Sequence, residues 1–320
     1  MKNAVIRIIA WSTVALALIG VLIWAIVPQR TAQEPEKVLE NYEAGFGTST
    51  PQQAAEAPVN GVDNNETEDT RQSRNTQPYG EETSVADVTT LEIDWISGAV
   101  RIESYDGAEV RFSDNYNGED TYQTVWSFAD GVLEISYCKD SLFALKLPEK
   151  RLLVRVPAAL LEKLEVDTVS ASLELDGVNA NTMDIESVSG SLSLTGSSAR
   201  AADLTSVSGK ITGKSLSLQK LDVETTSGEI ALDGDFADAE IQTLSGKVDM
   251  TFARRPDALE AESTSGEMTF CFPVDSTFTY WLDSVSGKAK STLDGASIRE
   301  NDADFTFFTM SGNVNLNLAK

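Results

Sequence analysis

A Ser-Gly pair recurs through the second half of this chain, and its interval limits what the chain can fold into. The glycines Gly190, Gly209, Gly228, Gly246, Gly266, Gly287 and Gly312 stand 19, 19, 18, 20, 21 and 25 residues apart. A unit this short is too small for a helix pair or a four-stranded propeller blade, and its apolar residues alternate with period two. One unit therefore reads as one coil of a β-solenoid whose strands pair with the coils above and below. The copies run from Glu165 to Lys320, the first carrying Ala171 in place of glycine, with an outlying copy around Ser97-Gly98.

The columns of the repeat carry the physics. Five residues before the glycine stand Val166, Ile185, Leu204, Val223, Ile241, Ala261, Leu282 and Phe307. Two residues after it stand Leu173, Leu192, Ile211, Ile230, Val248, Met268, Ala289 and Val314. Stacking merges these into inner ladders and buries surface that no single coil can bury alone. The glycine suits a corner that needs either positive φ or close backbone approach. The serine before each glycine, and the Ser or Thr two positions earlier, read as hydroxyl ladders bonded to stacked turns. A nucleophilic serine would also need an adjacent activating base, and the chain contains no histidine.

That absence excludes Ser-His-Asp and Cys-His chemistry and His-bearing zinc sites. The 50 acidic against 25 basic residues, a net charge of −25, disfavour a nucleic-acid partner, since phosphate backbones are bound through Lys and Arg. Part of the acid is patterned. Six before the corner stand Glu165, Asp184, Asp203, Asp222, Glu240 and Glu260, with Glu186, Glu224 and Glu262 two positions on. These columns predict an acidic stripe, read first as a solvated face and second as a cation-attracting one. No catalytic, cofactor-binding or metal-ligating residue is assigned. Cys138 and Cys271 read as two separate buried thiols rather than a disulfide.

The first segment differs in kind. Ile8 to Val27 is apolar apart from Ser12, Thr13 and Gly20, long enough to span a bilayer as a helix, with Lys2 and Arg7 before it and Trp11 and Trp24 near its ends. The expected organisation is a cytoplasmic N-terminus at 1–7, a transmembrane signal anchor at 8–27, an extracytoplasmic linker at 28–84, and a β domain at 85–320. The linker assignment rests on Pro28, Pro35, Pro51, Pro58 and Pro78 among polar residues that cannot bury a core. Within the β domain, 85–163 forms an irregular cap and 164–320 the repeats. Strands are expected over Val88–Ile102, Glu109–Ser113, Tyr122–Phe128, Gly131–Tyr137 and Arg151–Val156, with one short helix at Ala158–Lys163 after Pro157. Phe270, Phe272, Phe278, Tyr280, Trp281, Phe305, Phe307 and Phe308 are expected to close the far end by packing, the alternative being a sugar-binding platform.

The fold class is thus all-β, a single-stack parallel β-solenoid with an irregular β cap, preceded by one transmembrane helix. The run Arg151-Leu-Leu-Val-Arg-Val-Pro, the run Leu164-Glu-Val-Asp-Thr-Val-Ser and the Ser-Gly succession together resemble a bacterial family described as "putative adhesin", a β-strand-repeat domain of unknown function. The resemblance covers about Val85 to Lys320 and implies an envelope location and a fold, with no catalytic residues to carry over. Three functions stay open. They are a noncatalytic adhesin or scaffold binding a glycan or protein partner, an accessory or sensory protein of an envelope-stress system, and, last, a polysaccharide-active β-helix enzyme.

Overall fold

The computed structural model describes residues 75–138, 147–274, 276–291 and 304–319. The expected anchor at 8–27 lies outside them; among the described residues no helix is long and apolar enough to cross a membrane. Regular structure in the described residues is strand throughout, apart from a 3-10 turn at Asp120–Tyr122.

Successive repeats lie in successive layers, each giving a strand to two parallel ladders. The first ladder holds Thr90–Trp95, Leu161–Thr168, Asn179–Ser187 and Ser198–Ser206. The second halves of Ile211–Thr225 and Ile230–Thr243 continue it, then Ala258–Ser263. The second ladder holds Gly98–Tyr105, Ser172–Asp176 and Leu192–Thr195. The first halves of the two long strands follow, then Val248–Phe252 and Met268–Phe272.

The register pairs the apolar columns as their spacing requires. Val166, Ile185, Leu204, Val223, Ile241, Ala261 and Phe307 face one another in turn, all fully buried. Leu173, Leu192, Ile211, Ile230, Val248, Met268 and Val314 do the same on the other ladder. Each large side chain buried this way contributes about 1.5–3 kcal/mol, which sets the stack's register firmly. The interval drops from 19 to 18 where a bulge lies between Gly213 and Leu216, with Ser215 at φ 54° taking up the extra residue.

The interior corner glycines serve close approach, not left-handed backbone. A Cβ on Gly209 would lie 1.9 Å from the Gly190 carbonyl oxygen, and one on Gly228 2.1 Å from that of Gly209. Neither residue has positive φ. Buried hydroxyls finish the corner: the amides of Gly209 and Gly228 donate to Ser206 Oγ and Thr225 Oγ1, each at 2.9 Å. The outer serines donate across layers, Ser208 Oγ to the Val188 carbonyl at 3.3 Å and Ser227 Oγ to that of Val207 at 3.4 Å. Both hydroxyl ladders are thereby engaged with backbone.

At each end the order of layers departs from the order of sequence. Thr90–Trp95 lies between Val132–Ser136 and Leu161–Thr168, and Gly98–Tyr105 lies between Lys150–Pro157 and Ser172–Asp176. At the far end, Phe305–Thr309 and Val314–Leu318 insert between the layer of Ala258–Phe272 and that of Tyr280–Ser291. The near end is then closed by antiparallel strands. Val125–Ala129 and Asn75–Thr76 extend the first ladder, and Val110–Asp114 and Thr83–Val85 the second.

Four expectations are corrected or decided. The strands Asn75–Thr76 and Thr83–Val85 pair with the cap, so residues 75–84, assigned to the linker, contribute strands to it. The expected helix at Ala158–Lys163 is absent: Leu161–Thr168 is a strand, with Leu161 opposite Ala180 and Leu164 opposite both Leu91 and Met183. Layer pairing overrides the helix start that Pro157 suggested. The late aromatics are packing residues. Phe252, Phe272 and Phe305 stack with centroids 5.1 and 5.5 Å apart, and of the expected group only Trp281 is half-exposed. No disulfide joins Cys138 and Cys271; the first is buried as expected, and the second is half-exposed.

Candidate functional site

Opposite the buried column of the first ladder, side chains of alternate residues point outward, and there the acidic columns assemble. Glu134, Glu92, Glu165, Asp184, Asp203, Asp222, Glu240 and Glu260 face one another strand after strand without interruption. Beside them runs a second column of Asp94, Asp167, Glu186, Thr205, Glu224, Gln242 and Glu262. All nine carboxylates named from the repeat lie in these two columns. Glu134, Glu92, Asp94 and Asp167 were missed. Three of them were legible, since Glu92 and Asp94 stand six and four before Gly98, and Asp167 four before Ala171. Glu134 lies in a strand without a Ser-Gly corner and carried no such signal.

Neighbouring strands in a sheet lie roughly 4.8 Å apart, so carboxylates in register both repel and shield one another from water. The carboxyl of Asp167 is pushed up to about 8, chiefly by burial and then by the charges of Glu186 and Asp94. Glu224 rises to about 7 and Asp222 to about 6, again by burial first and by the neighbouring acids second. Asp184, Glu186, Asp203 and Glu92 shift the same way, with burial the leading cause for each. Lys163 pairs with Glu165 at the edge of the face, and Lys220 lowers the cost for Asp203 and Asp222. Among the described residues no group of three or more His, Cys, Asp or Glu is arranged to hold a metal ion. The arrangement is a broad acidic surface along the stack, whose more buried carboxyls are held above the usual carboxylate range by burial and by one another.

The second ladder's outer face differs. Ser193, Thr212, Ala231, Asp249, Thr269 and Asn315 follow one another there, and its charges are paired, as in Lys210 with Glu229 at 3.2 Å. Near the cap, Arg101 and Arg155 both bind Glu103 at 3.0 Å, and Arg155 reaches Glu82 at 2.7 Å, tying the strand Thr83–Val85 to the stack.

One buried ionisable group escaped the sequence reading. Lys150 sits opposite Gly98, in the corner position that interior layers give to glycine, and its side chain is fully buried. Its ammonium donates to the Tyr122 carbonyl at 2.9 Å, to Thr124 Oγ1 at 2.7 Å and to the Tyr137 carbonyl. It lies 4.8 Å from the ring centre of Trp95, 5.3 Å from Tyr116 and 4.3 Å from Tyr137, with the buried Asp114 carboxylate 4.0 Å away. Burial lowers its pKa to about 8, against the pull of Asp114. Three donors meeting three acceptors inside an aromatic cage is a saturated arrangement, which identifies Lys150 as the pin of the cap.

No curated protein matches the chain. Among solved structures, one described as a "putative lipid binding protein" from Parabacteroides distasonis is 18% identical, with a TM-score of 0.51 over 79% of this chain and 98% of its own. A "putative adhesin" from Bacteroides fragilis is 16% identical, covering 77% of this chain and 100% of its own, at TM-score 0.39. Another from Parabacteroides distasonis is 12% identical, covering 77% and 98%, at TM-score 0.41. A family model matches residues 88–317, from just before the first stacked strand to the last. The chain belongs to the Toastrack DUF4097 family.

Proposed function

We propose that this chain is a noncatalytic, adhesin-like protein of the bacterial envelope. Its span at 8–27 anchors it in the cell membrane with a short cytoplasmic N-terminus. Its layered domain stands outside as a single β-solenoid and presents its acidic face to a glycan or protein partner. The observation that carries this reading is the carboxylate column running unbroken from Glu134 to Glu260 on one outer face. Such a surface attracts cationic groups over its whole length and needs no single geometry, as suits attachment better than turnover. The repeat's hydroxyls support the noncatalytic part, because they are engaged with backbone and the chain has no histidine to activate them.

The test uses the full chain in membranes. Binding to cell-wall material and to in-cell crosslinked partners is compared between wild type and a variant carrying Asp184→Asn, Asp203→Asn and Asp222→Asn. The expected result is binding that weakens with salt and falls at least tenfold in the variant. Equal binding by both proteins at every salt concentration overturns the reading. So does turnover of a polysaccharide that one Asp or Glu substitution abolishes.

A further inference from the structure

At the near end of the stack a lysine and an aspartate are buried side by side. Lys150 opens the strand Lys150–Pro157 and Asp114 ends the strand Val110–Asp114. The two strands pair antiparallel, with Asp114 opposite Leu152. The side chains are 0% and 2% exposed, and Nζ stands 4.0 Å from Oδ2. Taking two charges out of water is costly, and their attraction repays that cost only at close, hydrogen-bonded range. At 4.0 Å this pair makes no direct hydrogen bond. A reaction that removes both charges is favoured in such a place.

The surrounding groups are those such a reaction needs. Thr124 Oγ1, itself fully buried, accepts from Lys150 Nζ at 2.7 Å and donates to Asp114 Oδ2. A proton handed along this relay, from the ammonium to Oγ1 and from Oγ1 to the carboxylate, leaves a neutral amine beside a carboxylic acid. The two hydrogens remaining on Nζ are held by the carbonyls of Tyr122 and Tyr137, which turns the lone pair towards Thr124 and Asp114. The Tyr116 amide donates to Asp114 Oδ1 at 3.1 Å, where the negative charge of a tetrahedral intermediate would collect. The rings of Trp95, Tyr116 and Tyr137 surround Nζ, with centres 4.8, 5.3 and 4.3 Å away. Burial has already lowered the pKa of Lys150 to about 8, so the neutral amine is within reach near neutral pH.

We propose that Lys150 and Asp114 join in an isopeptide bond that locks the cap. Nζ attacks Asp114 Cγ, the C–N bond forms, and the carboxyl hydroxyl leaves as water with a proton taken from Nζ through Thr124. One amine and one carboxylic acid give one amide and one water, and no oxidant or reductant takes part. The reacting atoms must come within about 3–3.5 Å, and the 4.0 Å between Nζ and Oδ2 leaves an approach on the scale of a side-chain torsion. The ion pair is the state from which the bond forms. The bond closes the chain between 114 and 150 into a loop holding Val125–Ala129 and Val132–Ser136, the strands that finish the first ladder. It stabilises that end by constraining the unfolded chain, as any cross-link does.

Stability does not separate the bond from the ion pair, since losing either weakens the cap, but mass does. The full chain is purified, kept folded near pH 8 and followed by intact-mass spectrometry, then digested and sequenced by fragmentation. The expected result is a mass lower than that of the sequence by one water, with a branched peptide joining Lys150 to Asp114. Lys150→Met and Asp114→Ala are expected to keep their full mass. Thr124→Val is expected to form the bond at least tenfold more slowly, and Thr124→Ser, which keeps the hydroxyl, at close to the wild-type rate. A wild-type chain of undiminished mass overturns the proposal, whether or not the variants fold. So does a water lost while the Lys150 and Asp114 peptides stay separate. An unchanged rate in Thr124→Val overturns the relay.

Discussion

Replacing Gly228 by alanine tests whether the corner glycines exist to let one layer approach the next. The added Cβ would stand 2.1 Å from the Gly209 carbonyl oxygen, and the positions of both atoms are fixed by backbone. Relief to an ordinary contact of at least 3.4 Å requires the layers to part by about 1.3 Å at that corner. Three hydrogen bonds cross or close it: Thr226 N–H to the Ser206 carbonyl at 3.2 Å, Ser227 N–H to that of Val207 at 3.0 Å, and Gly228 N–H to Thr225 Oγ1 at 2.9 Å. Parting by that distance takes the first two beyond bonding range and bends the third. At about 1 kcal/mol net for each, and more for an amide left buried, the expected loss is about 3–4 kcal/mol. Gly196→Ala is the internal control. Gly196 has φ 58° and nothing within 4 Å of an added Cβ, so its cost is backbone strain alone, about 1–2 kcal/mol. Urea unfolding of both variants gives the comparison, read as a shift in midpoint at unchanged slope. If Gly228→Ala loses no more than Gly196→Ala, close approach is not what the column selects.

The remaining predictions concern charge and hydroxyls. Asp167, Asp222 and Glu224 have folded pKa values of about 8, 6 and 7, above their unfolded values near 4, so the stability they contribute is full below pH ~4 and is lost as pH rises through 6–8. Thermal melting is therefore expected to rise by about 5 °C between pH 8 and pH 5.5 after allowance for solvent screening, and to flatten in an Asp167→Asn, Glu224→Gln variant; a melting point that falls over that range refutes it. Lys150→Met leaves Asp114 and two carbonyls without their cation and is expected to cost about 3–5 kcal/mol in urea unfolding, with loss of the near-ultraviolet signal of Trp95 and Tyr137. Thr225→Val strands the buried Gly228 amide and is expected to cost about 1–3 kcal/mol, whereas Ser227→Ala, on the exposed outer ladder, costs under about 1 kcal/mol by the same assay.

What could be read in the sequence follows from how each feature is encoded. The inner columns and both acidic columns were legible because a residue's layer and face follow from its offset to the corner. Val166 and Ile185 meet since each stands five before Ala171 and Gly190. The choice between positive φ and close approach at the corner was not legible, because glycine answers both needs. Nor was Lys150, whose position opposite Gly98 depends on a layer order that the chain does not follow. Ala158–Lys163 misled for a related reason. Pro157 suits the start of a helix, and only the pairing of Leu161 and Leu164 with Ala180 and Met183 makes the stretch from Leu161 a strand. The cap strands Asn75–Thr76 and Thr83–Val85 are short and polar, and their pairing is antiparallel to distant segments, so no periodicity announces them.

The insertion of Phe305–Leu318 beneath Tyr280–Ser291 matters to a chain made from one end to the other. From Leu161 to Phe272 each emerging coil finds its seat already built, and the stack can lengthen as synthesis proceeds. The coil at 280–291 has none until the residues numbered above 304 appear, and docking it early on the layer of 258–272 would place Leu282 where Phe307 belongs. A premature stop just after residue 303 would therefore strip two layers rather than one, the missing coil and the one that rests on it. It would leave Met268 and Phe270 facing water. The coil at 305–318 is a keystone, set into a gap that its predecessor must leave open.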